Sequence, residues 1–141
     1  YKDDPAHKAF VKKFRDKTGQ YPIYSAYHAV AAFRAIVDAY NTAMKANGGK
    51  WPSTEQVADA MHTLTFRGLT RPVKMREDGQ GLEDQMLGVT KMTSAYPFAV
   101  IENMTIYPGA MVQAPVGSKS PEWVKTLKPD LLKDAGIKSF K

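Results

Sequence analysis

Tyr21-Pro22-Ile23-Tyr24-Ser25-Ala26-Tyr27 decides how the rest of this chain is read. Three tyrosines, an isoleucine and a proline lead into a long apolar-striped segment, so the stretch reads as the entrance of a helix. Within that segment Ala26, Val30, Phe33, Val37, Tyr40 and Met44 recur in steps of four, three, four, three and four. That spacing places them on one helical face. Ala29, Ile36 and Ala43 widen the stripe, while His28, Arg34, Asp38 and Lys45 fall largely outside it. From Ser25 to Asn47 the helix spans about 33 Å, and Gly48-Gly49 ends it. Burial of Val30, Phe33, Val37 and Tyr40 is worth about 1.5–3 kcal/mol each before conformational entropy is subtracted. The expectation is a helix buried along this stripe against a partner surface at least as long.

Toward the N-terminus, Asp4-Pro5 is a helix start with a carboxylate cap and proline at the first turn. Ala6, Phe10 and Phe14 give that helix a narrow apolar stripe among lysines, and Gly19 closes it. Toward the C-terminus, Ser53 and Gln56 form a capping box for a third helix striped by Val57, Met61 and Leu64. Gly68 marks a break, after which the periodicity drops to two. Pro72 to Arg76 and Leu87 to Met92 alternate, with a turn at Glu77-Asp78-Gly79-Gln80-Gly81 between them. Phe98 to Tyr107 is a further strand, stopped by Pro108-Gly109. Beyond Gln113 the chain is loop-rich, with short helical turns at Ser120 to Leu127 and Pro129 to Ala135. The fold class is α+β, three helices followed by about three strands. That is thin cover for so long a helix, which suggests that partner elements are missing on the N-terminal side.

Composition narrows the chemistry. A chain of 141 residues has room for one domain with a core. No cysteine is present, which removes disulfides, thiolate nucleophiles and cysteine-ligated zinc. No apolar run of about 18 residues offers a membrane-spanning helix. The formal charge of +6 is dispersed, without the basic run or aromatic ribbon of a nucleic-acid surface. His7, His28 and His62 lie on separate helices and read as surface residues, and the Glu77-Asp78 turn lacks the carboxylate spacing of a calcium loop. Met61, Met75 and Met92 fall at core positions. The serines have no histidine–aspartate arrangement around them, and no phosphate loop or other cofactor motif is found. The chain starts at Tyr1 without methionine or signal residues, so a processed, trimmed or fragmentary protein is expected.

These parts, in this order, resemble the C-terminal portion of leucine/isoleucine/valine-type periplasmic substrate-binding proteins of ABC transporters. The matching residues are Phe14, Gly19, Pro22, Tyr24, Tyr27, Ala29, Val30, Ala60, Leu64, Phe66, Gly68, Pro72, Val73, Met75, Asp78 and Gly81. The collinear order carries the likeness from about Asp4 to Met92, and more loosely from Phe98 to Tyr107. The tail after Gly109 departs from the amino-acid-binding members. The resemblance implies a parent of α/β architecture with two lobes that close on a small solute, without catalysis. Residues 1–70 would flank one lobe, 71–112 would cross the hinge and join the other, and 113–141 would be a C-terminal extension. It further implies a periplasmic location, a branched-chain amino acid or related solute, and permease subunits in the membrane as partners.

The helix entrance is where that family faces its cleft, which makes Tyr24, Ser25 and, more weakly, Tyr21 the ligand-binding candidates. Unpaired helix-start amides and a hydroxyl suit a polar group, and an aromatic ring suits an apolar side chain. The competing reading makes Ile23 and Tyr24 a staple for the helix start, with Ser25 only its cap; Tyr27 reads as a core residue. A ligand-sensing domain of a receptor or regulator would share the architecture, and a basic helical domain binding an acidic partner is a third reading. With lobes missing, the fragment is expected to self-associate.

Overall fold

The computed structural model describes residues 4–69, 71–133 and 136–140. The chain divides into two compact units, 1–81 and 82–141.

The first unit is built on three helices and a hairpin: α1 (Pro5–Thr18), α2 (Tyr24–Ala46), α3 (Thr54–His62), β1 (Thr65–Arg67) and β2 (Pro72–Met75). A two-residue strand, β3 (Gly81–Leu82), extends the sheet in the order β1-β2-β3. The ends of the helices form as the sequence predicts. Asp4 caps α1 by accepting from the amides of Ala6 and His7 at 2.8 and 3.0 Å, and Gly19 closes it at φ 71°. Ser53 and Gln56 cap α3 reciprocally: the Ser53 amide donates to Gln56 Oε1 at 2.9 Å and the Gln56 amide to Ser53 Oγ at 3.3 Å. The Glu77–Gly81 segment is a turn, with Gly79 at φ 81° and the Arg76 amide donating to the Gln80 carbonyl at 2.8 Å. Arg76 and Asp78 pair across its neck, and that guanidinium holds the Asp78 carboxyl below its ordinary range.

The core corrects the sequence reading of α2. Its buried residues are Ala35, Ala39 and Ala43, and Ala35 and Ala39 pack with Leu64, Phe66 and Val73. Ala31, Val57, Met61 and Met75 border that cluster. Antiparallel pairing of Phe66 with Val73 puts both side chains on the face of the hairpin that meets the helix. Ala39, at 0% exposure, lets the backbones approach closely. The large residues of the predicted stripe point elsewhere: Phe33 is 70% exposed, and Ile36 and Val37 are also in solvent. The helix therefore has two apolar faces, and the hairpin occupies the small-residue one. The sequence singled out the bulkier face because side-chain size dominates a hydropathy count.

α1 buries none of its residues completely and is held by pegs rather than by a core. Its stripe is rotated from the predicted one, with Ala6 exposed and His7, Phe10 and Phe14 half-buried. His7 Nε2 lies 2.8 Å from the Tyr27 hydroxyl, and Phe10 meets the Tyr27 ring edge-on at 5.3 Å. Arg67 in β1 donates to Asp4 Oδ2 at 2.9 Å, tying the hairpin to the α1 cap. Arg34 reaches from α2 to the carbonyls of Arg67 and Gly68, at 3.2 and 2.9 Å.

The second unit is an antiparallel sheet of β4 (Gln85–Lys91), β5 (Val100–Tyr107) and β6 (Lys138–Phe140), in that order. Short helices α4 (Gly109–Val112) and α5 (Ser120–Val124) and a 3-10 turn at Pro129–Lys133 lie between β5 and β6. The third strand of the sequence reading starts at Val100 rather than Phe98, and β1, β3 and β6 were too short to show a period. The end of the predicted turn at Ala135 lies outside the described residues. A bulge interrupts the β4–β5 ladder between Leu87 and Val89, where Asn103 takes φ 49°. Gly88 is required beside it, because a Cβ there would stand 2.3 Å from Ile101 Cγ2. The alternation of β4 brings no burial: all its residues are exposed, and so is Met92, which the sequence had placed in a core. Among the described residues Ile106, at 2% exposure, is the one buried large hydrophobic side chain of this unit.

Two predictions test this packing. Ala39→Leu should lower the stability read from the helical signal in urea by about 1–3 kcal/mol, since added methylenes meet a close helix–hairpin contact. Phe33→Ala in the dilute chain should stay within about 0.5 kcal/mol. The second concerns Asp4, whose carboxyl is lowered from 3.8 first by the His7 amide; desolvation opposes this next, and the Ala6 amide and Arg67 lower it further. A depressed carboxyl stabilises the fold above its unfolded value and loses that contribution as pH falls through the folded one. The amide resonances of Ala6 and His7 should titrate together with a midpoint below 3.8. Arg67→Ala should move that midpoint only partly back, and Asp4→Asn should abolish it.

Candidate functional site

The entrance of α2 is a short extended run turned into a helix by its own sequence. Pro22 restricts the chain before it, and Ile23 sits at the cap position with extended backbone, φ −99° and ψ 175°. Among the described residues no side chain caps this end. The Ala26 amide turns back onto the Ile23 carbonyl at 2.9 Å, and the amides ahead of it have no acceptor within the helix. The start of α2 thus carries the partial positive charge of a helix N-terminus without a side-chain carboxylate or hydroxyl on it.

The aromatic cluster divides into an inward and an outward part. Tyr27 turns inward to His7 and Phe10, and burial pushes its phenol above the ordinary value. This agrees with its reading as a packing residue, while His7, expected on the surface, is half-buried by the same contact. Tyr21 is half-buried, with the Arg15 guanidinium 4.1 Å from its ring centroid. That stacking braces the segment between α1 and α2.

Tyr24 and Ser25 face outward. Tyr24 is the first residue of α2, 76% exposed, and its ring meets His28 edge-on at 5.7 Å. Ser25 is exposed and is the second helical residue rather than the cap. Ile23 is exposed beside them, so neither it nor Tyr24 staples the helix start to the core. Tyr24 and Ser25 therefore share one open surface, where an aromatic face and a hydroxyl adjoin free helix-start amides. Tyr21 is instead engaged by Arg15. His28 is the neighbour the sequence reading left out of the site. Its i, i+4 spacing from Tyr24 was the available signal.

Other chemistry-bearing residues are scattered. His28 and His62 are exposed on α2 and α3. Among the described residues no three His, Asp or Glu side chains gather as a cation site. No helix of the described residues is long and apolar enough to cross a membrane.

The periplasmic binding protein family matches the chain over residues 1–94, which takes in the whole first unit, the α2 entrance and β4. Comparison with curated proteins gave no match. Binding proteins of this type hold a solute and work with transporter subunits, and they are typically not enzymes. Two thirds of the sequence and all of the open helix entrance fall inside that match, and on this ground the chain belongs to the periplasmic binding protein family.

Proposed function

We propose that this chain serves in the solute-binding component of an ABC importer, with the α2 entrance as part of the surface that meets the solute. The observation that carries the reading is the uncapped start of α2, where Tyr24 and Ser25 stand open to solvent inside the family match. A carboxylate or carbonyl of the solute would accept from the helix-start amides and the Ser25 hydroxyl. The Tyr24 ring would pack on an apolar side chain, with Tyr21 lining the approach beside Arg15. A solute carrying both features at close range is a branched-chain amino acid or a small relative of one, such as an amide or an aromatic carboxylate.

In this reading residues 1–70 flank one lobe, 71–112 cross the hinge to the other, and 113–141 extend beyond. Solute contacts made only in the closed arrangement would shift the open–closed equilibrium toward closure. The closed form would then be the one that permease subunits in the membrane recognise, on the extracytoplasmic side. The chemistry is binding and release, with no bond made or broken.

The test is a thermal-shift and calorimetric panel of branched-chain amino acids, amides, urea-like solutes and aromatic carboxylates. A true ligand at about 100 times its Kd should add about 2.7 kcal/mol of stability and raise the melting temperature accordingly. Tyr24→Ala and Ser25→Ala should each weaken binding of that ligand by about tenfold or more, as loss of an apolar contact and of a hydrogen bond requires. Absence of a shift with every solute in the panel would overturn the reading.

A further inference from the structure

Residues 47–51 turn the chain from α2 toward α3. Asn47 is the C-cap of α2, with φ −90° and ψ 23°. Gly48 and Gly49 follow at φ 63° and 82°, a left-handed pair that glycine adopts without steric cost. The Gly49 amide returns to the Met44 carbonyl at 2.9 Å and closes the helix end. The Asn47 carboxamide braces the far side of the turn: its Nδ2 donates to the carbonyls of Lys50 and Trp51, at 3.4 and 3.3 Å. That brace holds the segment leading to Pro52, which is buried, and to Ser53, the cap of α3. Trp51, held by it, lies against Tyr40 with ring centroids 5.2 Å apart.

We propose that Asn47 is a spontaneous modification site, at which loss of ammonia converts the carboxamide to a carboxylate and undoes this brace. The backbone nitrogen of Gly48 attacks Cγ of Asn47 and forms a new C–N bond. The bond from Cγ to Nδ2 breaks, and that nitrogen leaves as ammonia with the Gly48 amide proton. Water then opens the resulting cyclic imide at either carbonyl. Opening at one gives aspartate, and opening at the other gives isoaspartate, whose backbone is a carbon longer. Nothing is oxidised or reduced. The turn favours ring closure in several ways. Gly48 has no side chain to shield its nitrogen, and a Cβ at Gly48 or Gly49 would meet nothing within 4 Å. Both glycines are open to water. The two bonds made by the carboxamide lie at the long end of the hydrogen-bond range, so they restrain it weakly.

Comparable positions are held. Asn41 lies inside α2 before Thr42, and Asn103 inside β5 before Met104, so a fixed backbone and a following side chain hinder the same attack. Asp78 precedes Gly79, but Arg76 grips its carboxylate and the Gln80 amide donates to it at 3.3 Å. An ionised carboxylate is also a poorer electrophile than a carboxamide. At Asn47 the conversion reverses the polarity of the contact. A carboxamide donates, whereas a carboxylate only accepts, so the product meets the Lys50 and Trp51 carbonyls as a repelling acceptor. The new negative charge also stands at the C-terminal end of a 23-residue helix, where the macrodipole disfavours it. The segment 50–51 is then released, Trp51 loses its seat on Tyr40, and the start of α3 loosens.

Storage of the whole 141-residue chain in mildly alkaline buffer, followed by peptide mass spectrometry, tests this. The peptide carrying Asn47 should convert at least about tenfold faster than those carrying Asn41 or Asn103, because glycine follows Asn47 alone. Its product should appear as both aspartate and isoaspartate. The chain has two tryptophans, so Trp123→Phe leaves Trp51 as the reporting indole. In that background the Trp51 emission should change in step with conversion. Asn47→Asp, made directly, should reproduce the emission change and lower the melting temperature by about 2–4 °C. Asn47→Gln, whose longer side chain does not close the same ring, should keep a constant emission through the same storage. Should Asn47→Asp fail to fold, the aged Trp123→Phe chain carries the same readout. Conversion at Asn41 or Asn103 as fast as at Asn47, an Asn47 that stays a carboxamide throughout, or conversion that leaves the Trp51 emission unchanged would overturn the proposal.

Discussion

Close approach of the β1–β2 hairpin to the alanine face of α2 holds the first unit together. Ala35 and Ala39 have no side chain beyond a methyl group, so Phe66, Val73 and Leu64 can fill the space against the helix. Other attachments follow from that seat. With the hairpin in place, Arg34 reaches its carbonyls and Arg67 reaches the cap of α1. α1 is then secured at Asp4 and at Tyr27, although it buries no residue of its own. Small residues at one interface thus set the position of three elements.

The same contact explains the open character of the α2 entrance. The hairpin and α3 occupy the alanine face, and α1 engages Tyr27 and Tyr21. Tyr24 and Ser25 point away from both, and no side chain closes the helix start. Polar capacity is left exposed at one end of a helix whose alanine face is filled. In the proposed reading a solute would be met at this helix end without dismantling any packing.

Punctuation in the sequence was legible wherever a local rule operates alone. Asp4-Pro5, Gly19, the Ser53–Gln56 box and the Gly79 turn each act through hydrogen bonds within a few residues, and each took its expected form. Burial was harder, because it depends on what lies opposite. The bulky stripe of α2 and the alternation of β4 are true periodicities, but neither meets a covering layer in this chain. The core-forming alanines were invisible to a count that rewards volume. At the candidate site the residues named from sequence divide by environment. Tyr24 and Ser25 lie open, while Tyr21 and Tyr27 are engaged by side chains of α1 that no spacing rule links to them. The Asn103 bulge had no sequence signal beyond a residue type that tolerates a left-handed backbone.

The sparse interior of the second unit has a thermodynamic corollary. A sheet whose one deeply buried large side chain among the described residues is Ile106 gains little from dehydration, so its opening free energy should sit low on the scale of the molecule. The chain should then open as two blocks of unequal strength. Residues 82–141 form the block that yields first, and the helical block can persist while its neighbour fluctuates.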